Sequence, residues 1–175
     1  MTAPTLRTAR LELRAVRADD AAVLHDIFTQ PGVRKYLFDD HVLARHETDR
    51  LVANWLNRDA WVIQRLTEGD RIGAIALTPI GAATAHYQPA LANSIELVIA
   101  VAEQSWGWGL AVEAGNAVMA HGFETMGLDR IAAVVDLPNT RSHLLMKRLG
   151  FVPGAESDGP KYRMQGYEAV RRASP

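Results

Sequence analysis

The stretch best suited to chemistry is residues 104–111, which read Gln-Ser-Trp-Gly-Trp-Gly-Leu-Ala. The apolar run of residues 95–101 precedes it, and apolar residues recur at helical spacing over residues 110–126, so a strand-to-helix turn is predicted. Gly107 and Gly109 let the backbone approach a ligand closely, and the first amides of a helix have no partner within it. Such a turn can hold phosphate oxygens through main-chain N–H groups and the helix dipole.

Two common phosphate-binding motifs do not fit this turn. A Walker A loop needs a lysine followed by serine or threonine after its glycines, and the lysines of this chain are Lys35, Lys147 and Lys161. A dinucleotide-binding fingerprint needs a third glycine where this chain has Val112, within repeated βαβ units. The alternative to an anion site is a tight loop that packing alone has shaped.

Composition limits the classes of function. The 175 residues, 48% of them apolar, fit one domain over residues 1–175 with a core at about 8–170. The net charge of -1 predicts no nucleic-acid partner. The lack of cysteine excludes disulfides and thiolate nucleophiles, and with no HExxH motif no metal is expected. The lack of cysteine also fits a reducing compartment, so a cytoplasmic location is expected. No run approaches a membrane span in length, so no membrane contact is expected.

The elements that must position the turn follow from periodicity and turn residues. Alternation predicts a strand at residues 11–15, and helical spacing predicts helices from about 19 to 28 and 47 to 58. Further elements are strands at 61–66, 72–78, 95–101 and 130–137, a helix at 140–149 and a closing hairpin within 151–170. Residues 33–40 and 81–91 are predicted to be irregular. Residues 95–101 are apolar on both faces except at Glu96, which predicts a central strand.

The order of these elements and several short motifs resemble the GNAT superfamily of acyl-CoA N-acyltransferases over about residues 8–170. Residues 104–111, as Gln-x-x-Gly-x-Gly-x-Ala, are similar to that family's pyrophosphate loop. Asn139-x-x-Ser142, followed by Leu149-Gly150-Phe151, is similar to its C-terminal signature. The opening residues 8–14 and the pair Glu113-Ala114 resemble the RimJ/RimL branch, which acetylates the N-terminal amines of proteins.

The resemblance implies an α/β (α+β) fold with a mixed, mostly antiparallel sheet of six to seven strands and about four flanking helices. Two neighbouring parallel strands, residues 95–101 and 130–137, would splay apart and admit the pantetheine arm of acetyl-CoA, the expected cosubstrate. Strand backbone would pair with pantetheine and the turn would bind pyrophosphate. The cofactor-binding residues that the resemblance implies are Ile99, Ala100, Val101, Gln104, Gly107, Trp108, Gly109, Leu110, Ala111 and Asn139.

Acetyl transfer to an amine by direct attack needs a base for the amine and a proton donor for the departing thiolate. Glu96 is the candidate base, since a carboxylate partly buried in an apolar strand has a raised pKa; exposure or pairing with an arginine is the alternative. Many GNAT enzymes carry a tyrosine donor where this chain has Met146. Ser142 is therefore the candidate donor, as is proposed for RimL-like enzymes, and a purely local hydrogen bond is its alternative.

The predicted acceptor is the α-amine of a protein N-terminus. The alternatives are a small-molecule amine, such as an antibiotic or a polyamine, and a CoA-binding module without catalysis. A polycationic acceptor should need clustered carboxylates, of which Asp39-Asp40 is the obvious pair. The resemblance also suggests a homodimer.

Ser105, Trp106 and Trp108 occupy turn positions where family members often carry lysine or arginine. Pyrophosphate binding is therefore expected to rest on main-chain amides with little side-chain charge. One of the indoles, Trp106 or Trp108, is expected to pack under the following helix while the other covers the nucleotide or a partner. His121, on the apolar stripe of that helix, is expected to be a core residue.

Overall fold

The computed structural model describes residues 2–171 and contains one mixed β-sheet with helices, which confirms the predicted fold class. Among these residues the sheet order is β1-β2-β3-β4-β5-β6-β8-β7, and the pair β5 and β6 is parallel. The strands are β1 (Leu6–Arg7), β2 (Leu11–Ala15), β3 (Ala60–Arg65), β4 (Arg71–Pro79), β5 (Ile95–Val101), β6 (Arg130–Asp136), β7 (Val152–Ser157) and β8 (Met164–Val170). The strand beyond the predicted six to seven is β1, which at two residues is too short to show a periodic pattern.

Six α-helices lie in the described part of the chain, against the four expected. They are α1 (Ala21–Phe28), α2 (Pro31–Leu37), α3 (Arg45–Trp55), α4 (Ala82–Tyr87), α5 (Leu110–Ala120) and α6 (Thr140–Arg148). Most of α2 and all of α4 occupy segments that were predicted to be irregular. Pro31 is the first residue of α2. Proline is tolerated there because the N–H that it lacks would have no partner within the helix. The other additional helix, α4, buries none of its residues, so its sequence carries no apolar stripe that would have predicted a helix.

The chain divides into two compact units, Met1–Ala76 with Ile99–Ala117, and Leu77–Val98 with Val118–Pro175. In the first unit, β2 pairs antiparallel with β1 and β3, and β3 with β4. Helices α1 to α3 supply a core in which the Phe28 ring meets Phe38 and Trp55 edge-on, at centroid distances of 5.7 and 6.1 Å. These aromatic side chains thus belong to the core.

In the second unit, β6 pairs antiparallel with β8 over its full length, and β8 pairs with β7. The parallel register between β5 and β6 places Glu96 opposite Ala132. A π-helical turn, His121–Thr125, follows α5, and His121 is buried there, as predicted for a core histidine. No helix within residues 2–171 is long and apolar enough to cross a membrane.

Candidate functional site

The glycine turn lies in the first unit, between the end of β5 and the start of α5. Gly107 has φ 83° and Gly109 has φ 76°, left-handed conformations that cost side-chain-bearing residues about 1–2 kcal/mol each. The amide of Glu113 donates to the Gly109 carbonyl at 3.1 Å. The amides of residues 110–112 precede this bond and have no carbonyl partner within the helix. The turn therefore presents main-chain donors to an anion, as its sequence indicates.

Arginines from outside the turn contact it. Arg65 Nη2, on β3, donates to Ser105 Oγ at 2.7 Å, and Arg10 Nη1, just before β2, donates to the Trp108 carbonyl at 2.9 Å. Two arginines from outside residues 104–111 thus contact the turn, one of them paired with Glu113, and the expectation that pyrophosphate binding rests on main-chain amides stays a prediction. Sequence reasoning placed Arg10 in a family motif but did not connect it to the turn.

The two tryptophans have different environments. Trp106 packs against the core of the first unit, and its Nε1 donates to the Val101 carbonyl at 2.7 Å. A Cβ added to Gly32, in the first turn of α2, would lie 2.6 Å from the Trp106 ring, so the indole packs against α2. Trp108 is 68% exposed. Trp106 thus packs, but against α2 and the first-unit core, whereas the expected place was under the helix that follows the turn. The covering role of Trp108 stays a prediction.

The last residues of β5 are the predicted pantetheine partners. Ile99 is half-buried, whereas Ala100 and Val101 are buried. The Val101 carbonyl already accepts the Trp106 indole proton, so a ligand would use its second lone pair. The Ala100 carbonyl lies close to Gly73: a Cβ added to Gly73 would be 2.1 Å from the Ala100 oxygen.

Glu96 lies on β5 in the second unit, and it is half-buried among apolar strands. Burial raises the pKa of the Glu96 carboxyl to about 7, although the Val134 amide, which donates to it, acts in the opposite direction. The neighbour that binds the carboxylate is thus a main-chain N–H group on β6. A carboxylate with this pKa can accept a proton near neutral pH.

The start of α6, also in the second unit, carries the other two predicted residues. Asn139 is the N-cap, and its Oδ1 accepts a hydrogen bond from the Ser142 amide at 3.2 Å. Ser142 is half-buried, and no hydrogen bond of its hydroxyl is seen within residues 2–171. Met146 is buried. The capping function of Asn139 is observed, while proton donation by Ser142 stays a prediction.

Other polar residues give weaker evidence of a functional role. His41 Nε2 lies 3.0 Å from Glu47 Oε2, in an exposed pair. Arg141 and Arg148 are exposed on α6. Within the described range, no group of three or more His, Asp or Glu side chains could hold a metal ion.

Comparison with known proteins gives one family. A family model described as the acetyltransferase (GNAT) domain matches residues 10–152. The uncharacterized N-acetyltransferase p20 of Bacillus licheniformis is 30% identical over 155 residues, which cover 84% of this chain and 82% of that protein. The spermidine N(1)-acetyltransferase of Escherichia coli (strain K12) is 23% identical over 144 residues, covering 81% of this chain and 72% of that enzyme.

Solved structures share the fold. The acetyltransferase (GNAT family) from Bacillus anthracis has a TM-score of 0.80 at 19% identity, covering 95% of this chain and 98% of that one. The RimL ribosomal α-N-protein acetyltransferase in complex with coenzyme A has a TM-score of 0.73 at 15% identity, with 95% and 98% coverage. At these identities the two structures support the architecture alone.

Proposed function

Because the chain belongs to the acetyltransferase (GNAT) domain family and is an N-acetyltransferase that uses acetyl-CoA, we propose that it acetylates the α-amine of a protein N-terminus. The observation that carries the proposal is the Glu96 carboxyl, whose pKa burial raises to about 7. A base with this pKa suits an α-amine, which titrates at roughly 7.7–8.0 when unperturbed. The resemblance to the RimJ/RimL branch supports the same acceptor.

The roles of the side chains follow from their chemistry. Acetyl-CoA supplies an acetyl group activated as a thioester. Glu96 takes a proton from the acceptor ammonium, so that the amine nitrogen can attack the acetyl carbon. Ser142 gives its hydroxyl proton to the CoA sulfur as the carbon–sulfur bond breaks, and its oxygen takes up the proton that the attacking nitrogen releases as the amide forms. The roles of Glu96 and Ser142 rest on contacts within the second unit: the raised pKa of Glu96 and the position of Ser142 in the first turn of α6.

Binding of the cosubstrate is assigned to the first unit. The amides from Gly107 to Ala111, with the Gln104 side chain and the N-terminus of α5, are proposed to hold the pyrophosphate. The main-chain groups of residues 99–101 are proposed to pair with pantetheine. The left-handed glycines and the helical amides without partners fit this assignment.

A polyamine is the second candidate acceptor, because one relative is a spermidine acetyltransferase. The charges near the early helices favour an α-amine over a polyamine as the acceptor. The Asp40 carboxylate is bound by the Arg34 guanidinium, so its charge is partly cancelled. A polycation would require several uncompensated carboxylates at its binding surface.

Thiol release from acetyl-CoA distinguishes the two acceptors. We expect a lysine-free peptide with an unblocked N-terminus to give a kcat/KM at least about tenfold above that of spermidine, a difference of roughly 1.4 kcal/mol. The matched control is the same peptide with an acetylated N-terminus, which should release no thiol above background. If spermidine is acetylated while the peptide with a free N-terminus is inert, the proposed acceptor is wrong and the polyamine takes its place.

Ser142→Ala should lower kcat by roughly tenfold or more without lowering thermal stability, because only the proton donor is removed. The Ser142 amide keeps its bond to Asn139, so the helix cap survives. Asn139→Ala should instead lower the free energy of unfolding by about 1 kcal/mol through loss of the cap. Thr140→Ala, which removes another hydroxyl from the same turn, serves as the control in both measurements. Normal turnover of Ser142→Ala would remove the serine from the mechanism.

A further inference from the structure

An ionic cluster in the first unit joins the opening segment to the glycine turn. Glu113, in the first turn of α5, accepts hydrogen bonds from Thr8 Oγ1 at 2.6 Å and from the Arg10 amide at 2.8 Å through Oε1. Its Oε2 lies 2.7 Å from both Arg10 Nε and Arg10 Nη2. The remaining guanidinium nitrogen, Nη1, donates to the Trp108 carbonyl at 2.9 Å. One planar side chain thus links a carboxylate on α5 to the backbone of the turn.

The orientation of a peptide plane follows from this contact. The carbonyl of Trp108 and the amide of Gly109 belong to one trans peptide group, in which C=O and N–H point in opposite directions. Arg10 holds the carbonyl on its own side, so the Gly109 N–H is directed away from Arg10. Gly109, at φ 76°, would otherwise be free to turn this plane, because glycine populates several backbone conformations.

The cluster also controls charge beside the turn. Although burial opposes it, hydrogen bonds from Thr8 and Arg10 hold the pKa of Glu113 below its ordinary value. Glu113 is therefore an anion four residues after Gly109. An unpaired carboxylate there would repel a diphosphate, and the Arg10 guanidinium cancels its charge at 2.7 Å.

We propose that Arg10 is a positioning residue for acetyl-CoA, which orients the Trp108–Gly109 peptide and neutralises Glu113 so that the turn can accept a diphosphate. The inference rests on the proposed function, which assigns the pyrophosphate to this turn. Arg10 acts through the backbone and through Glu113. A lysine cannot reproduce it fully, because its single nitrogen lacks the planar fork that holds both groups.

Calorimetric binding of CoA to the full chain tests the inference. Arg10→Ala should raise the Kd for CoA by about tenfold, the loss expected for one charge-assisted contact. It should raise KM for acetyl-CoA while leaving kcat at saturation within about twofold. The matched control is Arg7→Ala, which breaks the exposed Arg7–Glu12 pair of β1 and β2, 2.7 Å long, and should leave the Kd unchanged.

Two further variants separate the contributions. Arg10→Ala combined with Glu113→Gln should bind CoA more tightly than Arg10→Ala alone, since the unpaired carboxylate is gone. Arg10→Lys should have an intermediate Kd, and it serves as the test if Arg10→Ala does not fold. A Kd for Arg10→Ala within twofold of the wild type, or a double variant that binds no better, would overturn the inference.

Hydrogen exchange without CoA gives an independent readout. The segment covering residues 103–115 should exchange faster in Arg10→Ala than in Arg7→Ala, because its backbone has lost a fixed contact. Equal exchange in the two variants would count against the inference. If the wild type itself binds no CoA, the proposed function fails, and exchange alone then decides whether Arg10 orders the turn.

Discussion

Glu96→Gln should lower kcat about 10²- to 10³-fold, the range expected when a general base is lost. Glutamine keeps the shape of the side chain and can still accept the hydrogen bond from the Val134 amide. It cannot take a proton from the acceptor, so the loss should fall on kcat more than on either KM. Steady-state kinetics with both substrates varied measures this.

The pH dependence makes the assignment more specific. Because the pKa of Glu96 is raised to about 7, the carboxylate form of the base is depleted below that pH. The ratio of wild-type to Glu96→Gln rates should therefore fall about tenfold per pH unit below about 7 and become constant above it. Ionisation of the acceptor affects both enzymes and cancels in the ratio.

Glu168→Gln is the matched control, since Glu168 on β8 and Glu96 on β5 are both register neighbours of Ala132. Glu168 is paired with Arg130, at 2.8 Å, and is half-exposed. Its replacement should change kcat by less than about twofold. A Glu96→Gln enzyme with wild-type turnover across the pH range would remove Glu96 from the mechanism.

Glu96→Gln should also stabilise the protein at alkaline pH. The folded-state pKa of Glu96 is raised from 4.5 to about 7, so the folded state binds the proton more tightly. The stability contributed by this carboxyl is fully present below about 4.5 and is lost as pH rises through about 7, a change of about 3 kcal/mol. Glutamine has no charge to bury.

Urea unfolding at two pH values measures this effect. At pH 8, Glu96→Gln should exceed the wild type in free energy of unfolding by up to about 3 kcal/mol, and most of the difference should disappear near pH 5. Less stabilisation is expected if the amide N–H groups are left without acceptors. Equal stabilities at pH 8 would mean that Glu96 is not buried as a charge.

Gly73→Ala should be the most destabilising of the substitutions considered. The new Cβ would lie 2.1 Å from the Ala100 carbonyl oxygen and 3.0 Å from the Val101 Cα, both of them backbone atoms. Backbone cannot rotate away as the end of a side chain can, so the end of β5 must shift. We expect a loss of about 3 kcal/mol, seen as a fall in Tm of roughly 6–12 °C.

The functional consequence follows from the position of the clash. Residues 99–101 are the proposed partners of pantetheine, so KM for acetyl-CoA should rise together with the loss of stability. Gly81→Ala is the control, because a Cβ at Gly81 meets nothing within 4 Å. It should change the free energy of unfolding by less than about 0.5 kcal/mol. A Gly73→Ala protein as stable as Gly81→Ala would show that β5 tolerates the added carbon.

Local patterns were sufficient for the elements that carry the candidate site. The apolar run of β5 begins at Ile95 and ends at Val101, as predicted, and α6 begins at Thr140, the first residue of the predicted helix. These signals are strong because each depends on a few neighbouring residues: two-sided burial of a strand, a capping side chain, or glycine at a left-handed position. The glycine turn was identified for the same reason.

Other features had weaker local signals. The helical pattern of residues 110–126 contains a change from α5 to a π-helical turn at His121, which apolar spacing does not show. Likewise, α2 begins with the pair Pro31-Gly32 and continues into residues that were predicted to be irregular. Proline is compatible with both a helix end and the first turn of the next helix, and packing against neighbours decides between them.

The sequence by itself determined the glycine turn and the central strand that carries Glu96, because these follow from period and turn residues. Short motifs in a fixed order carried the resemblance that implied the family, its fold and the role of Asn139. The tertiary structure alone decided which groups surround them. Arg10 reaches Glu113 across 103 residues of chain, and Val134 supplies the amide at Glu96. A raised pKa or a fixed peptide plane depends on desolvation and contacts at distances of a few ångström, which only the folded chain creates.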